Sequence, residues 1–193
     1  LSYPGTLTLS PATLIALWSE LGACVARAGV KKLLLFNGHG GNVAAMDIVA
    51  RELRQRHGLL TYSASWFSLP LPDAVQGLFS AQEHRFGIHG GEIETSMMLH
   101  LAPATVRMEE ARDWRSSSQD RAEAHAILGN GRSAKMGWAI EDYHPAGAVG
   151  NAAAATAGKG RAVVQAAGEA LAQLLSELHA LPSSTAGAPA QPL

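Results

Sequence analysis

The stretch of sequence that decides the fold is KKLLLFNGHGGNVAAMDIVARELRQRHGLLTYSAS, residues 31–65. It opens with a short apolar run and passes through a loop at 37–42 that holds three glycines. An amphipathic segment at 43–57 and a second strand-like run at 59–65 follow. Strand, loop, helix and strand in this order are typical of a βαβ unit, whose two strands are parallel. The sequence therefore predicts an α/β fold built on a mainly parallel sheet.

Further helices are predicted on either side of this unit. Ser10 followed by Pro11 is a helix start, with serine as the N-cap and proline at the first helical position. The other predicted segments are a helix at 91–101, a C-terminal helix at 152–178, a long surface loop at 66–82 and an irregular region at 104–150. Residues 181–193 are mostly Ser, Ala, Gly and Pro, which predicts a disordered tail after one domain at 1–180.

The composition of the 193 residues excludes several classes of protein. Lys plus Arg is 15 and Asp plus Glu is 16, for a formal net charge of −1. This balance argues against a nucleic-acid partner, and no apolar window is long enough for a membrane helix. The single cysteine, Cys24, fits a reducing compartment and is predicted to be a core residue of the first helix. Without a recognisable signal peptide, the prediction is a cytoplasmic protein.

The first candidate site is the loop Asn-Gly-His-Gly-Gly-Asn at 37–42, which follows the first predicted strand. Ligands of open α/β sheets bind beyond the carboxyl ends of the strands. The glycines allow the backbone to approach a ligand closely, and a neutral His39 imidazole is suited to metal binding. The simpler alternative is a tight strand-to-helix turn that carries a surface histidine.

Two other functions for this loop fit the sequence less well. A dinucleotide fingerprint needs a third glycine where Val43 stands, and an acidic residue at the end of the strand at 61–65, which has none. An α/β-hydrolase needs a later G-x-S-x-G elbow, which is absent from the sequence. A nucleotide-binding domain would bind phosphate at Gly38-His39-Gly40 and is kept as a third alternative.

The second candidate site combines Glu83-His84 with the segment His-Gly-Gly-Glu-Ile-Glu-Thr-Ser at 89–96. Histidine is suited to proton transfer near neutral pH, and carboxylates are suited to metal ligation. Glu92 and Glu94 stand two apart on the predicted helix, so they point to different faces and are expected to differ in role. Alternatively, both only stabilise the helix N-terminus. The segment 148–151 could approach this site through its backbone.

Together these residues resemble the creatininase (creatinine amidohydrolase) family. The resemblance runs over Tyr3-Pro4-Gly5-Thr6, the loop at 37–42, the segment at 89–96 and Gly-Ala-Val-Gly-Asn at 147–151. It implies a three-layer α/β/α sandwich with a mainly parallel sheet. It further implies a metal-dependent hydrolase that cleaves a non-peptide or cyclic amide C–N bond of a small molecule. Two zinc or manganese ions and a homo-oligomer, a hexamer in many members, are the implied cofactors and assembly.

The resemblance also implies roles for individual residues. His39 would be a metal ligand, and Glu94 either a ligand or the carboxylate that holds the reacting water, with Glu92 the weaker candidate. His89 would be the general acid–base that protonates the leaving nitrogen. The positions facing the substrate would be Gly40, Gly41 and Trp66, the last at the end of the second strand.

Two departures from the family pattern shape the functional prediction. Members that hydrolyse creatinine carry a bulky residue and a glutamate where this chain has Gly40 and Gly41. Creatinine is therefore not the predicted substrate; the two glycines resemble those of members assigned to hydrolysis of formamides, to processing of a precursor peptide or to lactone-like sugars. The family's remaining ligands lie in an early Glu-x-His…Asp segment ahead of Tyr3, so we expect an N-terminally truncated chain. A non-catalytic member that binds a small molecule or serves in oligomer assembly is the alternative.

Overall fold

The computed structural model describes Tyr3 and residues 6–185. The chain falls into two compact units, residues 1–69 with 170–193 and residues 70–169. The helices are α1 Pro11–Arg27, α2 Val43–His57, α3 Asp73–Gln76, α4 Ala81–Phe86, α5 Glu92–Leu101, α6 Ser117–Ala124 and α7 Ala157–Ala180. The strands are β1 Lys32–Asn37, β2 Leu60–Ser65, β3 Asp113–Trp114 and β4 Gly150–Asn151.

The first unit contains the predicted βαβ arrangement. Strands β1 and β2 are parallel, with a register that runs from Lys32 opposite Leu60 to Asn37 opposite Ser65. Every residue of β1 has a partner in β2, so the two strands end side by side at one edge of the sheet. The loop at 37–42 begins at this edge. Helix α2 ends at His57 and is capped by Gly58, whose left-handed φ of 65° suits a residue without a Cβ. The predicted α/β fold with a parallel sheet is confirmed.

Helices cover both faces of this sheet. On one face Val49, Leu53 and Leu59 form a buried cluster with Leu33 and Leu35 of β1, together with residues of α1. On the other face the intervening Leu34 packs with Leu60 and with Leu178 of α7. Alternate residues of β1 thus enter two separate cores, as the period of a strand requires. The first unit has the three layers of an α/β/α sandwich.

Helix α1 begins as predicted, with Ser10 Oγ accepting a hydrogen bond from the Thr13 N–H at 3.2 Å. The prediction for Cys24 was wrong. Its side chain is exposed and its Sγ accepts a hydrogen bond from Arg27 at 2.9 Å. Cys24 therefore lies on the polar side of an amphipathic helix, whose apolar residues do not form a continuous band around its axis.

The second unit is more regular than predicted. The expected loop at 66–82 contains α3, the start of α4 and a 3-10 turn at Trp66–Ser68 that belongs to the first unit. The expected irregular region contains α6 and β3, and β3 pairs antiparallel with β4. The helix at 91–101 is confirmed as α5, and α7 starts at Ala157 after a 3-10 turn at Ala152–Ala154. These short elements carry too few residues for a clear hydrophobic period.

Several predictions fall wholly or partly on residues outside the described part. Pro4 and Gly5 of the Tyr-Pro-Gly-Thr motif at 3–6 lie outside it, and so do residues 186–193 of the expected tail. Residues 183–185 of that tail form a 3-10 turn. Among the described residues, no helix has the length and apolar character needed to cross a membrane.

Candidate active site

The first loop, residues 37–42, is held by the side chain of Asn37. Asn37 is 2% exposed. Its Nδ2 donates to Ser65 Oγ at 3.0 Å, which ties the ends of both strands together. Its Oδ1 accepts from the His39 N–H at 3.0 Å and from Asn42 Nδ2 at 3.3 Å. Asn42, whose backbone is already helical, makes no side-chain cap bond to α2. The first loop is thus anchored by neutral amides.

His39 is exposed, and its ring is already used within the first loop. Its Nδ1 accepts a hydrogen bond from the Gly41 N–H at 3.2 Å. In a neutral ring with Nδ1 as acceptor, the proton lies on Nε2. A metal bound at Nε2 would therefore need the proton to move to Nδ1, at the cost of the bond to Gly41.

Two glycines of the first loop border open space, whereas a Cβ at Gly41 would lie 3.2 Å from the His39 ring. A Cβ added at Gly38 or Gly40 would meet no heavy atom of the described chain within 4 Å. Trp66 follows Ser65 directly, so it starts at the same edge of the sheet as the first loop. Its ring packs edge-on against Phe67, with 5.7 Å between ring centroids. This edge offers bare backbone and a half-buried aromatic side chain.

The second loop, residues 87–92, is held by a buried carboxylate. Glu83 lies on α4 and is 3% exposed. Its Oε1 accepts from the Glu92 N–H at 2.6 Å and from the Ile93 N–H at 3.4 Å, both at the start of α5. Its Oε2 accepts from the Asn151 N–H of β4 at 2.9 Å. One side chain therefore joins α4, α5 and β4.

Burial raises the pKa of Glu83 above its ordinary value of 4.5. The three N–H donors favour the charged form and lower the pKa, while the nearby carboxylate of Glu92 raises it. The net direction is upward because loss of hydration outweighs the hydrogen bonds. The second loop thus depends on a charge that is costly to bury.

The two glutamates of α5 have different surroundings, as their spacing predicted. Glu92 is 6% exposed and forms an ion pair with Lys159 Nζ, which also lies 5.7 Å from the centre of the Phe79 ring. Glu94 is open to solvent, with 42% of its side chain exposed. Its Oε2 accepts the Gly90 N–H at 2.7 Å. Lys159 already compensates the charge of Glu92, whereas the carboxylate of Glu94 reaches the surface.

His89 stands beside Glu94. The two atoms His89 Nδ1 and Glu94 Oε2 are 3.9 Å apart, and the His89 side chain is also 42% exposed. The His89 carbonyl accepts a hydrogen bond from the Val149 N–H at 2.8 Å. The expected approach of the 148–151 segment through its backbone is therefore present. This arrangement presents an imidazole and a carboxylate to solvent from a tightly bonded backbone.

The predicted site residues divide between the two units. His39, Gly40, Gly41 and Trp66 belong to the first unit, whereas His89 and Glu94 belong to the second. Across Tyr3 and residues 6–185, no three His, Cys, Asp or Glu side chains converge as a metal site needs. A catalytic zinc site uses three protein ligands and an open position. The described residues do not by themselves fit a metal pair.

Sequence reasoning missed two residues of the second unit. Glu83 was part of the motif but received no role, and Lys159 was not singled out. A signal for Glu83 existed, because the chain places glycines at 87, 90 and 91 between it and α5. Glycines close to a buried side chain leave it room. No such signal marked Lys159, which lies 67 positions after its partner Glu92.

Comparison with known proteins gives consistent results. A peptidase of the mycofactocin precursor peptide from Mycobacterium tuberculosis is 31% identical over 85% of this chain and 55% of its own length. Creatinine amidohydrolase from Pseudomonas putida is 33% identical over 58% of this chain and 46% of its own. The chain thus spans about half the length of the curated relatives it matches.

Solved structures share the fold. A provisionally named creatinine amidohydrolase from Bacteroides fragilis superposes with a TM-score of 0.72 at 30% identity, over 94% of this chain and 67% of that one. Creatininase structures described as an Mn form and a Zn–Zn type give TM-scores of 0.66 and 0.61 at 24% and 25% identity. Both alignments cover 91% of this chain and 67% of the other.

The family model described as creatinine amidohydrolase (Creatininase) matches residues 1–175. This range includes the first loop, the second loop and the segment at 147–151, whose residues carry the resemblance. The chain belongs to the creatininase family.

Proposed function

We propose that the protein hydrolyses a non-peptide or cyclic amide C–N bond of a small molecule other than creatinine, with zinc or manganese as its metal. The observation that carries the proposal is the exposed pair of His89 and Glu94, 3.9 Å apart on a bonded backbone. Family membership supports it, since the named relatives cleave amide bonds in creatinine or in a precursor peptide.

The chemistry of amide hydrolysis gives His89 its role. Water adds to the carbonyl carbon, the C–N bond breaks, and the nitrogen must leave protonated because an amide anion is too basic to depart. His89 would take a proton from the adding water and pass it to that nitrogen, with Glu94 Oε2 3.9 Å from its Nδ1. The bond from the Gly90 N–H to Glu94 Oε2 fixes the carboxylate relative to the ring. General acid–base groups of this kind contribute about 10²- to 10⁴-fold in rate.

Metal dependence is proposed with His39 and Glu94 as two of the ligands. A divalent metal held there would lower the pKa of bound water and polarise the carbonyl. One imidazole and one carboxylate are fewer protein ligands than a catalytic zinc site uses. The remaining ligands therefore have to come from outside the described residues.

The first loop supports a compact substrate. Gly40 borders open space, so an amide can approach the backbone closely. A glutamate stands at the Gly41 position in creatinine-hydrolysing members, and this chain offers no carboxylate there. Trp66 supplies an aromatic face at the same edge of the sheet. A homo-oligomeric assembly and a cytoplasmic location complete the proposal and rest on the resemblance and the composition.

Two histidine variants test the assignment. His39→Ala should lose bound metal and activity together, because it removes a ligand. His89→Ala should keep the metal and lose about 10²- to 10⁴-fold in kcat, because it removes a proton donor. Metal content and amide hydrolysis are measured on the same preparations, with exposed His125→Ala as the matched control. Loss of metal from His89→Ala would contradict the assignment.

One observation favours a second function. Because no metal-binding group of three converges in the described part of the chain, a non-catalytic member that binds a small molecule or builds an oligomer is the alternative. It predicts negligible metal after soaking in zinc or manganese, and no turnover of any amide. Stoichiometric metal with turnover would exclude it.

A further inference from the structure

We propose that Glu83 is a positioning residue of this site. Its buried carboxylate holds the second loop and so maintains the spacing of the His89 and Glu94 side chains. The inference rests on the proposed function for its catalytic consequence only. Its structural part, that one carboxylate sets the geometry of the pair, stands on the contacts of the second unit.

The Glu83 carboxylate joins segments that are distant in the sequence. It accepts two N–H groups from the first turn of α5 and a third from Asn151 of β4, 68 positions away. Hydrogen bonds to an ionised acceptor are about twice as strong as neutral ones. Among the described residues no cation forms an ion pair with Glu83, since Lys159 is paired with Glu92. The carboxylate is therefore used to bind backbone.

Three glycines make room for this carboxylate. A Cβ at Gly87 would collide with the Glu83 carboxylate itself. A Cβ at Gly91 would collide with Oε1 and with the Val149 carbonyl at 2.8 Å, and one at Gly150 would reach Oε2 at 2.7 Å. The segments at 87–91 and 149–151 thus close around one side chain. A carboxylate that only capped a helix would not need glycines on three sides.

The backbone that Glu83 holds also carries His89 and Glu94, the proposed catalytic pair. The Gly90 N–H binds Glu94 Oε2, and the His89 carbonyl binds the Val149 N–H. Neither bond involves Glu83, but both lie between its anchoring points on α5 and β4. If the hydrogen bonds to the Glu83 carboxylate are lost, α5 and the 149–151 segment lose their common partner. The spacing of His89 and Glu94 then changes.

Hydrogen exchange tests the structural part on the full chain. Glu83→Ala removes the carboxylate, whereas Gly87→Ala keeps its charge and displaces it. Both should speed exchange of the Gly90 amide, which does not bind Glu83, by about tenfold to a hundredfold. In the double variant, Gly87→Ala should raise the Gly90 exchange rate less than about threefold above that of Glu83→Ala alone. The reason is that no carboxylate remains for the added methyl group to displace. Glu123→Ala, at a carboxylate with 73% exposure, is the matched control.

Unchanged Gly90 exchange in folded Glu83→Ala and Gly87→Ala would overturn the proposal, even with faster exchange at Glu92 and Asn151. That result would reduce Glu83 to a helix cap. Uniformly faster exchange along the whole chain would overturn it as well, since it would report lower global stability alone.

A kinetic measurement tests the catalytic consequence. Per folded molecule, Gly87→Ala should lower kcat about tenfold or more and leave KM within about threefold, because the first loop is untouched. Equal kcat would contradict the positioning role. If the wild-type chain hydrolyses no amide under any metal, the proposed function fails, and Gly90 exchange still decides whether Glu83 sets the pair.

Discussion

The two glycine-rich loops of this protein look alike in sequence and differ in how they are held. The first loop, at 37–42, is fixed by the neutral amide of Asn37, and its glycines Gly38 and Gly40 border open space. The second loop, at 87–92, closes around the buried carboxylate of Glu83, and its glycines are packed against protein. Glycine thus leaves room for a ligand in one loop and for the protein's own side chain in the other. The difference separates the surface proposed for substrate from the support of the proposed reacting groups.

The largest expected effect comes from a methyl group in the second loop. Gly91→Ala would bring a Cβ to 2.8 Å from the Val149 carbonyl and into the Glu83 carboxylate. Because backbone cannot yield as a flexible side chain does, we expect a loss of about 3 kcal/mol or more in unfolding free energy. Urea denaturation measures it. A variant as stable as wild type would mean that the second loop is not packed as described.

Removing the cation that compensates a buried carboxylate should have the next largest effect. Lys159→Met keeps the side-chain stem and leaves the Glu92 carboxylate buried without its cation. The expected loss is about 2–3 kcal/mol, below that of a fully buried pair because 28% of the Lys159 side chain is exposed. Adding Glu92→Gln should restore most of it in a double-mutant cycle. Glu94→Gln, at the exposed carboxylate, is the control and should stay within about 0.5 kcal/mol. Equal losses of unfolding free energy from Lys159→Met and Glu94→Gln would contradict the different surroundings of Glu92 and Glu94.

The buried carboxylate should also leave a pH signature. Burial raises the pKa of Glu83 above 4.5, so from pH 4.5 up to the raised pKa the native state binds its proton more firmly than the unfolded state. The stability gained from that proton is present at low pH and is lost as pH rises through this window. The stability of wild type minus that of Glu83→Gln should fall with pH, by at most about 1.4 kcal/mol per pH unit. Chemical denaturation from pH 4 to 8 measures it, and a rising difference would contradict the direction.

The smallest effect on stability is expected in the first loop. Gly40→Ala adds a methyl group to open space, so its unfolding free energy should stay within about 0.5 kcal/mol of wild type. The same methyl group occupies room proposed for substrate, so KM should rise at unchanged stability. Thermal melting and a KM measurement on one preparation separate the two effects. A destabilised Gly40→Ala with unchanged KM would mean that Gly40 is packed against protein, as the glycines of the second loop are, and does not face substrate.

The sequence predicted the parts of the fold that have a clear period or a strong end signal. The short apolar run of β1, the serine N-cap of α1 and the terminal glycine of α2 led to the correct elements. The different surroundings of Glu92 and Glu94 followed from their spacing. The short elements α3, α6 and β3 were missed because a few residues carry no period. Cys24 was misplaced because apolar composition does not reveal which side of a helix faces the core.

The candidate site was predicted as motifs but not as contacts. The exposed pair of His89 and Glu94 lies where the motif placed it. The hydrogen bonds of Glu83 to α5 and β4 and the ion pair of Lys159 join residues 9 to 68 positions apart. No local pattern encodes such pairings, since they depend on how the chain folds back on itself. The roles of all the predicted site residues remain predictions: His39, Gly40, Gly41, Trp66, His89 and Glu94.

The most direct test of the account is the rate of amide hydrolysis measured against metal content per chain. Elemental mass spectrometry gives the metal, the intact mass is checked on the same sample, and a panel of small cyclic and non-peptide amides gives the rate. Hydrolysis of at least one amide is expected to rise in proportion to bound zinc or manganese. A chain that binds about two metals, as the resemblance implies for such two-metal hydrolases, and still hydrolyses no amide would contradict it.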